Sequence, residues 1–368
     1  MNFKINKLSL LEALNISSKA ISNKTSLPIL TGLLLEAKNS KLIITGNDLN
    51  LGIETTIDAT IIEEGSVIVD SSFFITIINK LPNSIVNITY YDNNVNIYCD
   101  KVEFNLVGKK AEEYIEIPVI EKNNILKINS NLIKTMIKQT LFAVSNDKSR
   151  PILTGVLFKI KNKKLIFVSL DGYRLALKEI EIDSIIENEL IIPGKTLNEL
   201  NKIINTEDNI DLEISFTDKH ILFNYNNTKI ISRLLEGNFI KYEQIIPNDF
   251  KFEMIINTSE FKDSIERGYL LSLKSKKSSI KFEIGNNNIL IKSNSQNGKM
   301  EENIKMLYNG DKLDIGFNPS YILDVLKIID SEKLIMKFNN NMSPSIIKPL
   351  KNNSCKYMIL PVRLKELK

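Results

Sequence analysis

The chain has 368 residues, with 48 Lys and Arg against 44 Asp and Glu, and a net charge of +4 when its single histidine is neutral. Its content of 43% hydrophobic and 25% charged residues is that of a soluble globular protein. The longest apolar runs, such as Ile29 to Leu35 broken by Thr31 and Gly32, are far too short to span a membrane. Two cysteines, Cys99 and Cys355, cannot build a disulfide framework. Lys4, Lys7 and Glu12 interrupt any signal-peptide apolar region, so a cytoplasmic protein with reduced thiols is expected.

The predicted elements repeat three times along the chain. Phe3-Lys4-Ile5-Asn6 opens the first unit as a strand, and after Asn6 the pair Leu10 and Leu14 falls at helical spacing, marking one buried face. Pro28-Ile29-Leu30-Thr31-Gly32 then precedes a strand at Leu33-Leu34-Leu35. Val67-Ile68-Val69 predicts a further strand, followed by a short helix over Phe73 to Leu81. The second unit begins at Leu126-Lys127-Ile128-Asn129, with Ile133 and Ile137 as its helical pair. It repeats Pro-Ile-Leu-Thr-Gly at 151–155, 123 positions beyond the first copy, and Asp171 stands 123 positions beyond Asp48. Leu190-Ile191-Ile192 and Thr196 to Ile204 supply its second strand and helix. The third unit begins at Met254-Ile255-Ile256-Asn257, followed by Phe261 and Ile265, and later by Leu313 to Phe317 and a helix over Tyr321 to Ile329. Asn318-Pro319 is a helix start, a capping side chain followed by proline at the first helical position.

Divergent copies keep such a register only if they share a fold. The reading is therefore α+β, with three tandem domains at about 1–124, 125–249 and 250–368, each β-α-β-β-β repeated twice. Lengths of this order suit three ordinary domains, each with its own core.

One structural position is basic in all three units: Lys24 in the first, Lys148 and Arg150 in the second, and Lys274, Lys276 and Lys277 in the third. Cations recurring on one face suit a polyanion, since phosphate contacts need only charge and reach. A search for catalytic chemistry is unproductive. His220, in Asp218-Lys219-His220-Ile221, reads as a turn residue without a second His or Cys to share a metal, and no phosphate-binding glycine loop occurs. Asp48 and Asp171 occupy equivalent positions in separate units and read as turn formers, not as a two-metal pair.

Leu27-Pro28-Ile29-Leu30, Arg150-Pro151-Ile152-Leu153-Thr154-Gly155, Asp171-Gly172-Tyr173-Arg174-Leu175-Ala176, Phe317 to Leu323, Met342-Ser343-Pro344 and Tyr357 to Leu364 occur in an order and spacing that resemble the bacterial DNA polymerase III β subunit, the replicative sliding clamp. The resemblance runs the full length. It implies a head-to-tail homodimer, a closed six-domain ring with helices inside and sheets outside, encircling duplex DNA regardless of sequence. It implies a processivity factor with no cofactor, metal or catalysis of its own, although its holoenzyme is a nucleotidyltransferase. Lys24, Arg150 and Lys195 match basic DNA-contact positions, Lys148 shares that loop, and Lys134, Lys138, Lys202 and Lys327 stand on lining helices. Pro151 and Ile152 replace two tyrosines found in some members. Phe104, Leu270 and Leu271 match dimer-interface positions.

The resemblance also implies a pocket for short linear motifs, a glutamine with a following Leu/Phe pair. Such motifs occur on the polymerase α subunit, the clamp-loader δ subunit, other polymerases and repair proteins. Its residues here are Leu153, Leu170, Gly172, Tyr173, Arg174, Leu175, Pro247, Met342, Pro344, Met358, Leu360, Pro361, Val362 and Arg363. Aliphatic walls would bury the apolar anchors, with Arg174 and Arg363 at the rim for polar and carboxylate groups. Leu170 departs from the threonine of some members. Two rival classes differ in what they need: a polymerase requires an acidic metal cluster, and a monomeric repeat scaffold would share the repeats and pocket but lack the ring.

Overall fold

The computed structural model describes residues 1–22, 25–120, 125–271, 273, 279–296 and 298–364. Each third of the chain runs strand, helix, three strands, then strand, helix, three strands. The first third comprises β1 (Asn2–Asn6), α1 (Lys7–Ser17), β2 (Gly32–Lys38), β3 (Lys41–Asn47), β4 (Leu51–Asp58), β5 (Thr60–Glu63), β6 (Gly65–Asp70), α2 (Ser71–Lys80), β7 (Ile85–Tyr91), β8 (Asn94–Cys99) and β9 (Val102–Val107). The second comprises β10 (Leu126–Asn129), α3 (Ser130–Thr140), β11 (Gly155–Lys161), β12 (Lys164–Leu170), β13 (Arg174–Glu181), β14 (Asn188–Pro193), α4 (Gly194–Ile203), β15 (Asp211–Phe216), β16 (His220–Tyr225) and β17 (Thr228–Arg233). The third comprises β18 (Phe252–Asn257), α5 (Thr258–Leu270), β19 (Ile280–Gly285), β20 (Asn288–Ser295), β21 (Gly298–Lys305), β22 (Leu307–Asn309), β23 (Leu313–Phe317), α6 (Pro319–Leu326), β24 (Lys333–Phe338), β25 (Ser345–Pro349) and β26 (Cys355–Ile359). The short β5 and β22 are additions to the expected pattern, pairing with the opening strands β1 and β18 of their repeats.

Local chemistry explains why each opening strand turns into a helix. Asn6 Oδ1 accepts from the Leu8 N–H at 2.8 Å, Asn129 Oδ1 from the Asn131 N–H at 3.0 Å, and Asn257 Oδ1 from the Glu260 N–H at 3.1 Å. The same amide thus satisfies exposed donors of the first turn in all three repeats. Asn318 caps α6 by accepting from the Ser320 N–H at 3.0 Å, with Pro319 in the first turn, as the sequence predicts. α2 begins two residues before the expected Phe73 because Asp70, the last residue of β6, accepts from the Phe73 N–H at 2.8 Å. All six residues of the helical pairs (Leu10, Leu14, Ile133, Ile137, Phe261, Ile265) are fully buried. Full burial of such a side chain contributes roughly 2 kcal/mol.

Contacts divide the chain into two compact units, Met1–Lys134 with Lys195–Leu235, and Thr135–Gly194 with Glu236–Lys368. The middle repeat is therefore shared between them. The first unit holds a five-stranded sheet, β5-β1-β7-β8-β9, and an eight-stranded one, β10-β15-β16-β17-β4-β3-β2-β6. The second sheet joins repeats one and two through antiparallel β4 and β17, Ile53 opposite Ile230. Its core gathers Leu10 and Leu14 of α1, Phe74 and Ile78 of α2, and the inward strand residues of the first repeat. The second unit holds a nine-stranded sheet, β14-β11-β12-β13-β26-β25-β24-β18-β22, and a four-stranded one, β21-β20-β19-β23. Here β13 pairs with β26, Leu175 opposite Met358, joining repeats two and three. Phe261, Phe282 and Phe317 pack edge-on and tilted at 5.4–5.6 Å between centroids in the core beneath α5 and α6. Among the described residues no helix is long and apolar enough to cross a membrane.

Candidate docking row, basic positions and open sheet edges

The β13–β26 junction of the second unit assembles most of the expected pocket residues. Strand register sets Leu170 opposite Leu175, Leu175 opposite Met358, and Met358 opposite Ile346. Directly opposed residues share a face, so four side chains from β12, β13, β26 and β25 form one apolar row. The neighbouring positions Ala176, Tyr357 and Ile347 belong to the core beneath the helices. The row therefore lies on the opposite face of the sheet. Ile346 is a member that sequence reading missed: Ile346-Ile347 offers no clue to which of the two faces which way until the register is known.

Around this row stand the more accessible candidates. Tyr173 and Met342 are exposed, 59% and 65%, while Pro247, Pro344, Leu360, Pro361 and Val362 are half-buried and Leu153 is buried. The Leu360 N–H donates to the Tyr173 carbonyl at 2.8 Å and the Val362 N–H to the Gly316 carbonyl at 2.8 Å, which hold the tail beyond β26 in place. Gly172 has φ of +96°, a left-handed conformation that favours glycine. The turn it belongs to is closed by Asp171, whose Oδ1 accepts from the Tyr173 N–H at 2.9 Å and the Arg174 N–H at 3.0 Å. Asp48 makes the equivalent turn, accepting from Asn50 and Leu51. Both aspartates are the turn formers the sequence suggests.

Arg174 corrects one expectation. It alternates with Leu175 and so points to the helix side, not to the rim beside Arg363. Its Nε donates to Asp171 Oδ2 at 3.0 Å, Nη1 to Asp324 Oδ2 at 2.6 Å, and Nη2 to the Phe142 carbonyl at 2.8 Å. The guanidinium also lies 4.5 Å from the Tyr321 ring centroid, and that ring stacks on Tyr173 at 6.3 Å. Arg174 thus fixes the turn that carries Gly172 and Tyr173 onto α6, with two carboxylates and a ring already occupying its fork. Arg363 is exposed.

The basic positions differ in what holds them. Lys24 lies outside the described residues, as do Lys274, Lys276 and Lys277. In the second unit Lys148, Lys138 and Lys327 are exposed and form no ion pair among the described residues. Arg150 pairs with Asp147 at 3.1 Å. In the first unit Lys195 is ion-paired with Asp48, Lys202 pairs with Glu199 at 2.8 Å, and Lys134 donates to the Ile204 carbonyl at the end of α4. Exposed pairs of this kind are weak and leave the cations exchangeable. Ile152 packs under Gly237, where an added Cβ would stand 2.8 Å from its Cδ1.

Two of the sheet-edge strands, β9 and β21, lie at or beside the expected interface positions. β9 ends the five-stranded sheet and carries Phe104 at 37% exposure; β21 ends the four-stranded sheet next to α5, whose last residue Leu270 is 63% exposed, with Leu271 half-buried at its C-cap. Unpaired edges with apolar neighbours are templates for strand pairing. Among the described residues no group of three potential metal ligands converges. His220 begins β16 as a turn residue, its N–H donating to Thr217 Oγ1 at 3.1 Å; burial, then Arg233 and Lys219, hold its imidazole below the usual range.

Comparison with known proteins places three family profiles end to end on the chain: the DNA polymerase III beta subunit N-terminal domain on residues 1–118, its central domain on 127–241 and its C-terminal domain on 243–363. The beta sliding clamp of Staphylococcus epidermidis is 36% identical, the alignment covering 99% of both chains. The solved structure of the DNA polymerase sliding clamp from Bacillus subtilis superposes with a TM-score of 0.96 at 36% identity, covering 99% of this chain and 100% of that one. A DNA polymerase III beta subunit structure from Eubacterium rectale gives 0.95 at 36% identity with the same coverage.

Proposed function

Because the chain belongs to the DNA polymerase III beta subunit family, the bacterial sliding clamps, we propose that two copies close head to tail into a ring that encircles duplex DNA and docks partner proteins on the Leu170–Ile346 row. The protein is a processivity factor of DNA replication and a non-catalytic one. Its domains are taken at about 1–124, 125–249 and 250–368. The tandem match across residues 1–363 carries this reading. β9 of one copy would continue the sheet of β21 in the other, with Phe104 and the Leu270-Leu271 pair covered at the contact. A dimer built this way closes on itself and does not polymerise.

Retention by encirclement needs no strong grip. Lys138, Lys148 and Lys327, without an ion pair among the described residues, and Lys24, Lys134, Arg150, Lys195 and Lys202 would surround the duplex with a diffuse positive charge that lets the ring slide. The apolar anchors of short linear motifs on the polymerase, the clamp loader and repair proteins would lodge against Tyr173, Met342 and the Leu360–Arg363 tail, with the buried row of Leu170, Leu175, Met358 and Ile346 as the floor beneath them. Methionine and leucine walls adapt to several related ligands. The place of action is the cytoplasm.

The test is retention on DNA. The protein is loaded onto nicked circular plasmid with its loader and ATP, the complex is isolated, and half is linearised. Encirclement predicts that protein stays on circles and runs off linear ends. Equal retention on both forms means ordinary electrostatic binding and overturns the ring.

A further inference from the structure

The face that carries the docking row continues into a different chemistry. Two residues further along each strand, on the same face, stand Leu177 on β13, Lys356 on β26, Lys348 on β25 and Ile335 on β24, with Leu177 opposite Lys356 and Ile335 opposite Lys348. Continuing the β25–β26 register by one position sets Lys348 opposite Lys356. Lys337, opposite Ile346 of the docking row, completes a group of three lysines on adjacent strands. Residues two apart on a strand are about 6.7 Å apart and opposed ones about 5 Å. The lysines are thus immediate neighbours of Met358 and Ile346.

The nearby carboxylates are engaged elsewhere than at Lys348 and Lys356. Glu253 is taken by Lys337, and Glu179, further along β13, by Lys164 at 2.9 Å. Among the described residues Lys348 Nζ donates to the neutral Asn353 Oδ1, at 2.6 Å, and the exposed Lys356 has no ion pair. Burial, then Lys337 and Lys356, hold the Lys348 ammonium below the usual lysine range. Like charges directly opposed weaken a sheet; Glu253 offsets Lys337, while among the described residues Lys348 and Lys356 have no carboxylate partner of their own.

We propose that Lys348 and Lys356 receive acidic side chains from the segment flanking the apolar motif of a docked partner peptide. The inference rests on the docking reading above. Two adjacent ammonium groups beside an apolar row match a short acidic run continuous with apolar anchors. A nucleic acid duplex would need a longer basic stripe. Acidic flanks would add affinity and speed association without changing the apolar core of the motif.

Two fluorescent peptides with the same glutamine and Leu/Phe core, one flanked on both sides by Asp and Glu and one by Ser, are titrated against the full-length protein and its Lys348→Gln/Lys356→Gln variant. In wild type the acidic flanks tighten binding about five-fold at low salt, as two solvated ion pairs would, and most of this is lost at about 300 mM salt. The variant binds both peptides as wild type binds the Ser-flanked one. Equal tightening in variant and wild type, or none in either, overturns the proposal while leaving the docking row standing. Failure of both peptides to bind wild type overturns the docking row and this proposal with it. A single-stranded oligonucleotide that binds wild type but not the variant and displaces the acidic peptide would reassign the lysines to nucleic acid.

Discussion

At one corner the first repeat uses glycine where the second and third use serine. In the first repeat the end of α1 lies so close to β3 that a Cβ on Gly46 would stand 2.2 Å from the Ser17 carbonyl oxygen, while Ser17 Oγ donates to the Ile44 carbonyl at 2.9 Å. In the second, Ser169 occupies the position of Gly46 and its hydroxyl donates to the Thr140 carbonyl at the end of α3. In the third, Ser293 Oγ donates to the Gly268 carbonyl of α5 at 2.9 Å. Gly46→Ala should therefore lower stability by roughly 3 kcal/mol, because backbone and not a flexible side chain blocks the methyl. Ser169→Ala should cost about 1 kcal/mol for one lost hydrogen bond. A larger drop in thermal midpoint for the glycine change checks the order. Arg174→Ala should destabilise by about 2 kcal/mol, since it removes charge-assisted hydrogen bonds to Asp171 and Asp324, and should weaken motif-peptide binding by loosening the Tyr173 turn. Arg174→Lys should not restore either property, because an ammonium cannot reproduce the three-way fork. Peptide anisotropy alongside thermal melts distinguishes this from simple loss of fold. The inward aim of Arg174 is written in the alternation Leu175, Leu177 against Arg174, Ala176. Its partners Asp324 and Tyr321, some 150 residues away, are not.

Elements were the most legible level. The recurring Asn caps, the i, i+4 pairs and Asn318-Pro319 are local signals, and local signals survive without knowledge of the fold. Helix ends were less so: α6 stops at Leu326, short of Ile329, and α2 starts early because Asp70 serves both strand and cap. The final strand is where sequence could not choose between core and site. β26 is core through Tyr357 and Ile359 and docking row through Met358, and the tail beyond it adds half-buried pocket residues. Truncation after Leu360 removes that tail and the Val362 bond to Gly316. We expect motif affinity to fall at least ten-fold, about 1.4 kcal/mol, with the thermal midpoint nearly unchanged; unaltered affinity would move the pocket elsewhere. A pH prediction concerns the other unit. Tyr225 donates to Asp208 at 2.7 Å and accepts from the Asn205 N–H at 3.0 Å, tying β16 to the chain after α4; burial first, then that carboxylate, push its hydroxyl up to about 12. The folded state holds this proton more tightly than the unfolded chain, where tyrosine titrates near 10. Its contribution is thus complete below about pH 10 and lost as pH climbs through about 12. The stability advantage of wild type over Tyr225→Phe should shrink between about pH 10 and pH 12 in paired melts, and stay constant below that.

For the whole molecule, sequence revealed the repeats but not how they are joined. The row Leu170, Leu175, Met358, Ile346 draws on strands nearly two hundred positions apart, and register between distant strands leaves no periodic trace in a single sequence. The resemblance to a known family named three of those four residues; the pairing itself supplied Ile346. Assembly of two chains is tested by Leu270→Asp with Leu271→Asp, which should halve the mass in sedimentation while preserving motif binding. A variant that remains dimeric would place the contact elsewhere.

The β4–β17 and β13–β26 ladders separate what was copied from what folds. The middle repeat contributes β17 to one sheet and β13 to another, and each of these strands has a neighbour from a different repeat. Cut out and expressed alone, residues 125–249 would present both strands as naked margins, six and eight residues long. Such margins recruit one another, so the excised repeat should form soluble oligomers or precipitate. The sequence repeat and the unit that folds by itself should therefore differ in extent, the folding unit being the larger.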